Sequence, residues 1–133
     1  MGVFMATVEL NMENLNSYIE NSKIMLIDFW APWCAPCKMF GPIFEKASEK
    51  YPDIVFAKCN TDEQRDVASV FGIMSIPTLA IFREKILVFK DAGALPESAL
   101  ESLISQVKEL DMDDVRRQVE EQAKKSATSG QNS

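Results

Sequence analysis

Apolar residues along this chain fall into short continuous runs that alternate with stretches of helical spacing. The runs predict strands, and the stretches with apolar positions three and four apart predict helices. Strands are expected at residues 3–8, 23–30, 54–59, 78–82 and 86–90, and helices from residue 12, from residue 34 to 50, after residue 61 and after Pro96. This order of elements predicts one domain of the α/β class.

The second strand and the last two strands indicate how the sheet is built. The run IMLIDFW at residues 24–30 is almost continuously apolar, as in a central parallel strand that is covered on both faces. Residues 78–82 and 86–90 are separated only by Arg83, Glu84 and Lys85, and so short a link joins strands only in an antiparallel hairpin. The sheet is therefore expected to be mixed.

Local signals predict where the middle helices begin and end. Thr61 to Gln64 has the form of a capping box, and the short helix after it is expected to place Val67, Val70 and Phe71 inward and to end at Gly72. Pro42 lies inside the long second helix, where it removes one hydrogen bond and is expected to produce a kink.

The C-terminal part of the chain is predicted to be an addition to the domain. Residues 1–110 hold all the elements above, and residues 111–133 form an extension. Asp111 can cap a further helix that reaches Lys125, with Val115 and Val119 on one face. From Ser126 the sequence SATSGQNS is polar and is expected to be disordered.

Composition and charge exclude several functions. The 133 residues include 14 basic and 20 acidic side chains and no histidine, for a net charge of -6. Because binding to nucleic acid depends on neutralising phosphates, nucleic acid is not expected as a partner. The first fifteen residues lack a basic region and a long apolar run, so no membrane association is expected and we expect a soluble chain in the cytoplasm.

Two cysteines stand where the second strand gives way to a helix. If Cys34 opens that helix, its sulfur faces unpaired N–H groups and the positive end of the helix dipole, which favour the thiolate. Cys34 is therefore the candidate nucleophile and Cys37 its resolving thiol. The alternative is a fixed disulfide, although closing so small a loop stabilises a fold by only about 2 kcal/mol. No metal site is expected, because the chain has no histidine and no second cysteine pair.

Three further side chains interrupt or end apolar strands. Asp28 interrupts the second strand, so its carboxylate is expected to be buried with a raised pKa and to accept the proton of Cys37; the alternative is a solvated Asp at the strand end. Lys58 interrupts the third strand and would modulate Asp28 if the two strands are neighbours; the alternative is that it only reaches solvent. Cys59 is expected to be a small buried hydrophobe, with a regulatory thiol as the alternative.

Several short motifs follow one another in the order and spacing of the thioredoxin family. They are Asp28-Phe29-Trp30, Trp33-Cys34-Ala35-Pro36-Cys37-Lys38, Pro42, Ala57-Lys58, Gly72-Ile73, Ile76-Pro77-Thr78 and Gly93-Ala94-Leu95. The chain resembles that family over roughly residues 8–110, and so many coinciding motifs are far more specific than a single Cys-x-x-Cys. The resemblance implies the thioredoxin fold, a three-layer α/β/α arrangement around a central mixed sheet. Ala35 stands where the family usually has Gly, a departure that leaves the dithiol intact.

The resemblance also implies an activity and partners. Family members reduce disulfides in client proteins by dithiol–disulfide exchange, transport electrons and maintain cellular redox homeostasis. They are re-reduced by a flavin-dependent thioredoxin reductase that uses NADPH, and the resemblance implies a monomer with no cofactor of its own.

The resemblance further implies a substrate-binding surface around Cys34. The residues that would form it are Trp33, Ala35, Pro36, Ile76, Pro77, Gly93 and Ala94, with Pro77 as the family's cis-proline. From the residues alone, Trp33 could instead belong to the core, Pro77 could be a trans turn proline and Gly93 could be only a turn residue.

Two other functions stay open. The domain could be a binding module whose cysteines are incidental, with the interaction carried by residues 111–125. It could also be an oxidase or isomerase of the same fold, since such proteins differ mainly in the dipeptide between the cysteines. Ala35-Pro36 lacks the histidine that many of them have, which favours reduction.

Overall fold

The computed structural model describes residues 6–131, with side chains described as far as residue 127. In chain order these residues form β1 (Thr7–Glu9), α1 (Met12–Asn21), β2 (Ile24–Trp30), α2 (Ala35–Lys50), β3 (Val55–Asn60), α3 (Arg65–Val70), β4 (Thr78–Arg83), β5 (Ile86–Ala92), α4 (Glu97–Lys108) and α5 (Met112–Gln131). Residues 3–5 of the expected first strand lie outside the described part.

The five strands form one mixed sheet in the order β1-β3-β2-β4-β5. β1 and β2 both run parallel to β3, whereas β4 runs antiparallel to β2 and to β5. Every residue of β2 except Trp30 is buried, as its apolar sequence predicts for a central strand. The α/β class, the mixed sheet and the C-terminal hairpin are therefore confirmed.

Helices cover both faces of the sheet, which gives three layers. On one face α2 and α4 contribute Phe44 and Ile104 to a cluster with Leu26 of β2. On the other face α1 and α3 contribute Leu15 and Val67 to a second cluster. Because successive strand residues point to opposite faces, Asp28 lies on the face of Leu26, the one that α2 covers.

The predicted start of α3 is wrong. α3 begins at Arg65, and its N-cap residue makes no capping hydrogen bond through its side chain. The side chain of Asn60 instead accepts hydrogen bonds from the N–H groups of Asp62 and Glu63, at 3.0 and 3.4 Å, so this asparagine at the end of β3 turns the chain. Val70 is 63% exposed rather than inward, because Phe71, four residues after Val67, packs against the same cluster in its place.

Two turns use the left-handed region of φ. Gly72 follows α3 with φ of +61°, which confirms its expected role as the stop of that helix. In the β4–β5 hairpin, Arg83 pairs with Ile86, and the two residues between them, Glu84 and Lys85, have φ of +50° and +72°. Positive φ at both positions is what a tight turn matched to the twist of the strands requires, although neither residue is glycine or asparagine.

The C-terminal helix is longer than the sequence predicts. α5 continues to Gln131, beyond the predicted end at Lys125, because extending an existing helix is far easier than nucleating one. The guanidinium of Arg83 donates hydrogen bonds to three carbonyl groups at the α4–α5 junction, at 2.7, 3.1 and 2.8 Å. Arg116 of α5 pairs with Glu84 at 2.8 Å, which ties the start of α5 to the hairpin.

Candidate active site

The two cysteines lie at the N-terminus of α2, directly after the turn that ends β2. Cys34 is the N-cap residue, and its Sγ accepts a hydrogen bond from the N–H of Cys37 at 3.3 Å. Pro36 occupies the first turn of the helix, where the N–H that it lacks would have had no partner within the helix. Cys34 and Cys37 are joined in a disulfide with a Cα–Cα distance of 5.2 Å. The prediction that Cys34 opens the helix is confirmed.

A loop before β4 faces the disulfide. The Ile76–Pro77 peptide bond is cis, so the alternative of a trans proline does not apply. The carbonyl oxygen of Ile76 lies 3.7 Å from Cys34 Sγ. The N–H of Gly93, at the end of the hairpin, donates to the carbonyl oxygen of Pro77 at 2.8 Å. The structure thus brings the carbonyl of Ile76 close to the Cys34 sulfur and ties Gly93 to Pro77, the next residue of the same loop.

The surface around Cys34 is exposed and partly apolar. Trp33 is 69% exposed, so it is not a core residue, and its indole N–H donates to both carboxylate oxygens of Asp62, at 3.2 and 3.1 Å. Ala35, Pro36 and Ala94 are exposed as well.

Sequence reasoning missed two residues of this surface. One is Asp62, which holds the Trp33 ring, and the other is Met74, which is 95% exposed two residues before Ile76. A signal for Met74 was available, because it is a large apolar residue in a loop that also carries the cis-proline.

Asp28 is the most perturbed acid near the disulfide. Its side chain is fully buried, and neither carboxylate oxygen has a hydrogen-bond partner among the described residues. Burial raises the pKa of this carboxyl to about 7, the positive charge of Lys58 opposes that rise, and the negative charge of Glu45 adds to it. The predicted burial and raised pKa are confirmed, and the alternative of a solvated Asp is excluded.

Lys58 lies beside Asp28 but is bound to a different acid. The two residues are register partners on the parallel strands β2 and β3, so the predicted neighbourhood is confirmed. The ammonium of Lys58 lies 3.0 Å from Oε1 of Glu45 and 5.0 Å from the ring centroid of Trp30. Lys58 therefore does not simply reach solvent, because only 19% of its side chain is exposed.

Glu45 is a third residue near the disulfide that the sequence did not reveal. It lies on α2, eight residues after Cys37, and that spacing places two helical residues on the same side. Glu45, Lys58 and Cys37 line one groove that runs along α2. Helical spacing from the resolving cysteine was thus a signal that could have identified Glu45.

Cys59 takes no part in this arrangement. It is fully buried on the opposite face of the sheet, in the cluster that contains Phe29 and Ala57. Burial, and to a lesser degree the charge of Asp28, raises the pKa of its thiol to about 12. It remains a thiol at neutral pH, which confirms the expectation of a buried hydrophobe.

The described residues include no group of three or more His, Cys, Asp or Glu side chains placed to hold a metal ion. Within residues 6–131, no helix is both long and apolar enough to cross a membrane.

The fold and the site together define a class of protein. Two cysteines at a helix N-terminus, where backbone N–H groups favour a thiolate, can exchange disulfides with another molecule through the exposed face beside them. The chain is thus a dithiol–disulfide oxidoreductase built on a three-layer α/β/α fold.

Comparisons with known proteins identify the family within that class. The family model Thioredoxin matches residues 6–106. The chain is 54% identical over 117 residues to "Putative thioredoxin 2" of Streptomyces coelicolor, covering 88% of this chain and 87% of that one. It is 41% identical over 103 residues to a thioredoxin of Alicyclobacillus acidocaldarius, covering 77% and 98%.

Solved structures agree with the sequence comparisons. Oxidised mitochondrial thioredoxin 3 of Saccharomyces cerevisiae superposes with a TM-score of 0.69 at 35% identity, covering 75% of this chain and 94% of that one. An N21Q mutant thioredoxin of Halobacterium salinarum gives a TM-score of 0.73 at 31% identity, covering 82% and 98%. The chain belongs to the thioredoxin family, and its function is protein-disulfide reduction by dithiol–disulfide exchange.

Proposed function

We propose that Cys34 is the nucleophile of this reductase, that Cys37 is the resolving thiol and that Asp28 accepts the proton of Cys37. The observation that carries the proposal is the N-cap position of Cys34, whose sulfur accepts the N–H of Cys37 at 3.3 Å. A negative charge on that sulfur is stabilised by this N–H and by the helix dipole, whereas Cys37 lies within the first turn and has no such cap.

The proposed reaction begins with the reduced dithiol. The thiolate of Cys34 attacks one sulfur of the client's disulfide, which forms a mixed disulfide and releases the client's other sulfur as a thiolate. Cys37 then loses its proton to Asp28 and attacks the Cys34 sulfur, which forms the Cys34–Cys37 disulfide and releases the client's second thiolate. Two electrons pass to the client, whose two thiolates take up one proton returned by Asp28 and one from water, and the disulfide of this structure is the product state.

Asp28 has the properties that a proton acceptor in this step needs. With a pKa of about 7, the carboxyl populates both its ionised and its protonated form near neutral pH, so the group can both take up and return a proton. It lies on the sheet face that α2 covers, and Cys37 is in the first turn of α2. Lys58 contributes a positive charge that lowers the pKa of Asp28 and thereby adjusts the balance between the two forms.

We propose that clients dock on the surface around Cys34 in an extended conformation. The proposed contacts are Trp33, Ala35, Pro36, Ile76, Pro77, Gly93 and Ala94, with backbone groups of Ile76 pairing with the client segment. The exposed faces of Trp33 and Met74 support this proposal, because exposed apolar side chains around a reactive group favour protein contacts.

The proposed partners and setting follow from the family. Oxidised proteins with accessible disulfides are the clients, and an NADPH-dependent flavoprotein thioredoxin reductase returns the pair to the dithiol. The protein then serves as a monomeric electron carrier in the cytoplasm, where it maintains redox homeostasis. Residues 1–110 are the thioredoxin domain in this proposal, and residues 111–133 are an extension that the reaction does not use.

Single cysteine variants test the assigned roles in an insulin reduction assay. Cys34→Ser is expected to abolish turnover, and Cys37→Ser is expected to accumulate a mixed disulfide, because its attacking thiolate remains while the resolving thiol is gone. Cys59→Ser is the matched control and should keep activity, since Cys59 lies on the other face of the sheet. Activity retained by Cys34→Ser would contradict the scheme.

The reduction potential separates the reductase from its alternatives. The oxidised protein is equilibrated with dithiothreitol or glutathione buffers of known potential, and the fraction of dithiol is measured. A potential clearly more reducing than the cytosolic glutathione pool agrees with reduction of clients. A potential at the oxidising end would indicate an oxidase or isomerase, and cellular function retained by a variant without both cysteines would indicate a binding module.

A further inference from the structure

We propose that Glu45 is a positioning residue, which holds the ammonium of Lys58 away from the carboxylate of Asp28 and so keeps Asp28 able to carry a proton at neutral pH. The inference rests on the proposed function, because it concerns the group assigned as the proton acceptor of Cys37. Glu45 lies on α2, Lys58 on β3 and Asp28 on β2, so the three residues come from separate elements.

Lys58 is shared unequally between Asp28 and Glu45. Register pairing places Lys58 directly beside Asp28, and both point to the face of the sheet that α2 covers. The ammonium nevertheless lies 3.0 Å from Glu45, whereas both oxygens of Asp28 lack a hydrogen-bond partner among the described residues. A buried carboxylate beside a lysine would ordinarily take that lysine as its partner, because an unpaired buried charge is costly.

Further contacts fix the position of the Lys58 ammonium. Its ammonium lies 5.0 Å from the centroid of the Trp30 ring, a cation–π contact that adds to the ion pair with Glu45. The α2 backbone passes close to the same ammonium at Gly41, where an added Cβ would lie 3.6 Å from it. The Lys58 and Glu45 side chains are only 19% and 25% exposed, so water screens this pair less than it screens a surface pair.

Charged groups from two neighbouring elements act on Asp28. Lys58 of β3 acts on it with a positive charge, and Glu45 of α2 acts with a negative one. Cys37, also of α2, lies in the same groove as Glu45 and Lys58 but is bound in the disulfide in this state. Cys59 of β3 keeps its proton and carries no charge near neutral pH. On the other side of β2, the register partner of Asp28 is Leu79 of β4, which is apolar.

Glu45 therefore affects Asp28 in two ways, and both favour the protonated form of its carboxyl. Its own charge opposes ionisation of Asp28, and its ion pair prevents Lys58 from favouring that ionisation at closer range. Replacing Glu45 by Gln removes the charge and releases the ammonium. Because an opposite charge within 4–6 Å lowers the pKa of a carboxyl by about 1–3 units, the titration midpoint of Asp28 should fall by about 1 pH unit or more.

The test is an NMR titration of the Asp28 side-chain carboxyl carbon in the oxidised protein, in which Cys34 and Cys37 do not titrate. Glu45→Gln is compared with Glu49→Gln, a variant of an exposed glutamate one helical turn further along α2. A lower midpoint in the first variant and no change in the second is the expected result. An unchanged midpoint in Glu45→Gln would overturn the proposal.

A double-mutant cycle distinguishes positioning from a simple charge effect. If Glu45 acts through Lys58, the shift caused by Glu45→Gln becomes smaller in the Lys58→Gln background. An equal shift in both backgrounds would mean that Glu45 acts only through its own charge, and would contradict its positioning role.

The pH profile of insulin reduction separates this inference from the proposed role of Asp28. In Glu45→Gln, the pH dependence of reduction should move to lower pH together with the NMR midpoint. An NMR midpoint that moves while the activity profile stays would support the inference about Glu45 and refute the assignment of Asp28 as proton acceptor.

Discussion

Replacing Asp28 by Asn should stabilise the oxidised protein strongly at alkaline pH and hardly at all in acid. Asp28 is fully buried, and its pKa is raised from 3.8 to about 7 in the folded state. The unfolded chain therefore ionises this carboxyl near pH 4, whereas the folded chain does so only near pH 7. The contribution of this carboxyl to the free energy of unfolding is fully present below pH 4 and decreases as the pH rises towards 7. Above pH 7 the contribution is lost completely.

The size of the effect follows from the difference between the two pKa values. A difference of about 3 units corresponds to about 4 kcal/mol of unfolding free energy, at about 1.4 kcal/mol per unit. Asn has nearly the shape of a protonated Asp and cannot ionise, so the variant avoids this loss. The variant and the original protein should thus have similar stability at pH 4 and differ by about 4 kcal/mol at pH 8.

Urea unfolding of the oxidised protein at several values between pH 4 and pH 9 measures this difference. Asp66→Asn is a suitable control, because Asp66 is an exposed carboxylate on α3 and its replacement should change the unfolding free energy by less than about 1 kcal/mol at every pH. A stability difference for Asp28→Asn that does not vary with pH would refute the reasoning, since it would show that Asp28 does not titrate between these values.

Three further predictions concern the scaffold and its extension. Arg83→Met should lower the unfolding free energy by about 2 kcal/mol, because three carbonyl groups at the α4–α5 junction lose their hydrogen-bond donor. Urea unfolding measures this change, and an unchanged free energy would mean that water replaces the guanidinium without cost. Phe44→Ala should cost about 3–5 kcal/mol in the same assay by leaving a cavity under α2, and a cost below 1 kcal/mol would show that the core collapses around it. A chain that ends at Leu110 should reduce insulin at the original rate, and a large loss of rate would assign α5 a part in the reaction.

The site could be predicted from the sequence where it depends on residues close together in the chain. Cys34 caps α2 because a strand ends and a helix begins at that point, and both features are visible in a local pattern of apolar positions. The burial of Asp28 follows from an apolar run that fits only a central strand. The cis bond before Pro77, in contrast, came from the resemblance to a family, since local sequence does not fix that isomer.

Predictions failed where a side chain had competing partners. Thr61 to Gln64 has the form of a capping box, but the Asn60 side chain accepts the hydrogen bonds of the free N–H groups instead, and nothing in the pattern ranks one acceptor above the other.

The end of α5 differs from the predicted end for another reason. A polar composition predicts little burial, but it does not prevent an existing helix from continuing.

Short-range periodicity and motifs at fixed spacing thus suffice to predict the order of elements, the mixed sheet, the helix that presents the dithiol and the family. Which charges meet around Asp28 depends instead on the packing of elements that are distant in the chain. Lys58 could pair with Asp28 beside it or with Glu45 from α2, and the choice depends on how the helix packs over the sheet. The ionisation of a buried group depends on such distances in three dimensions, and a linear pattern does not contain them.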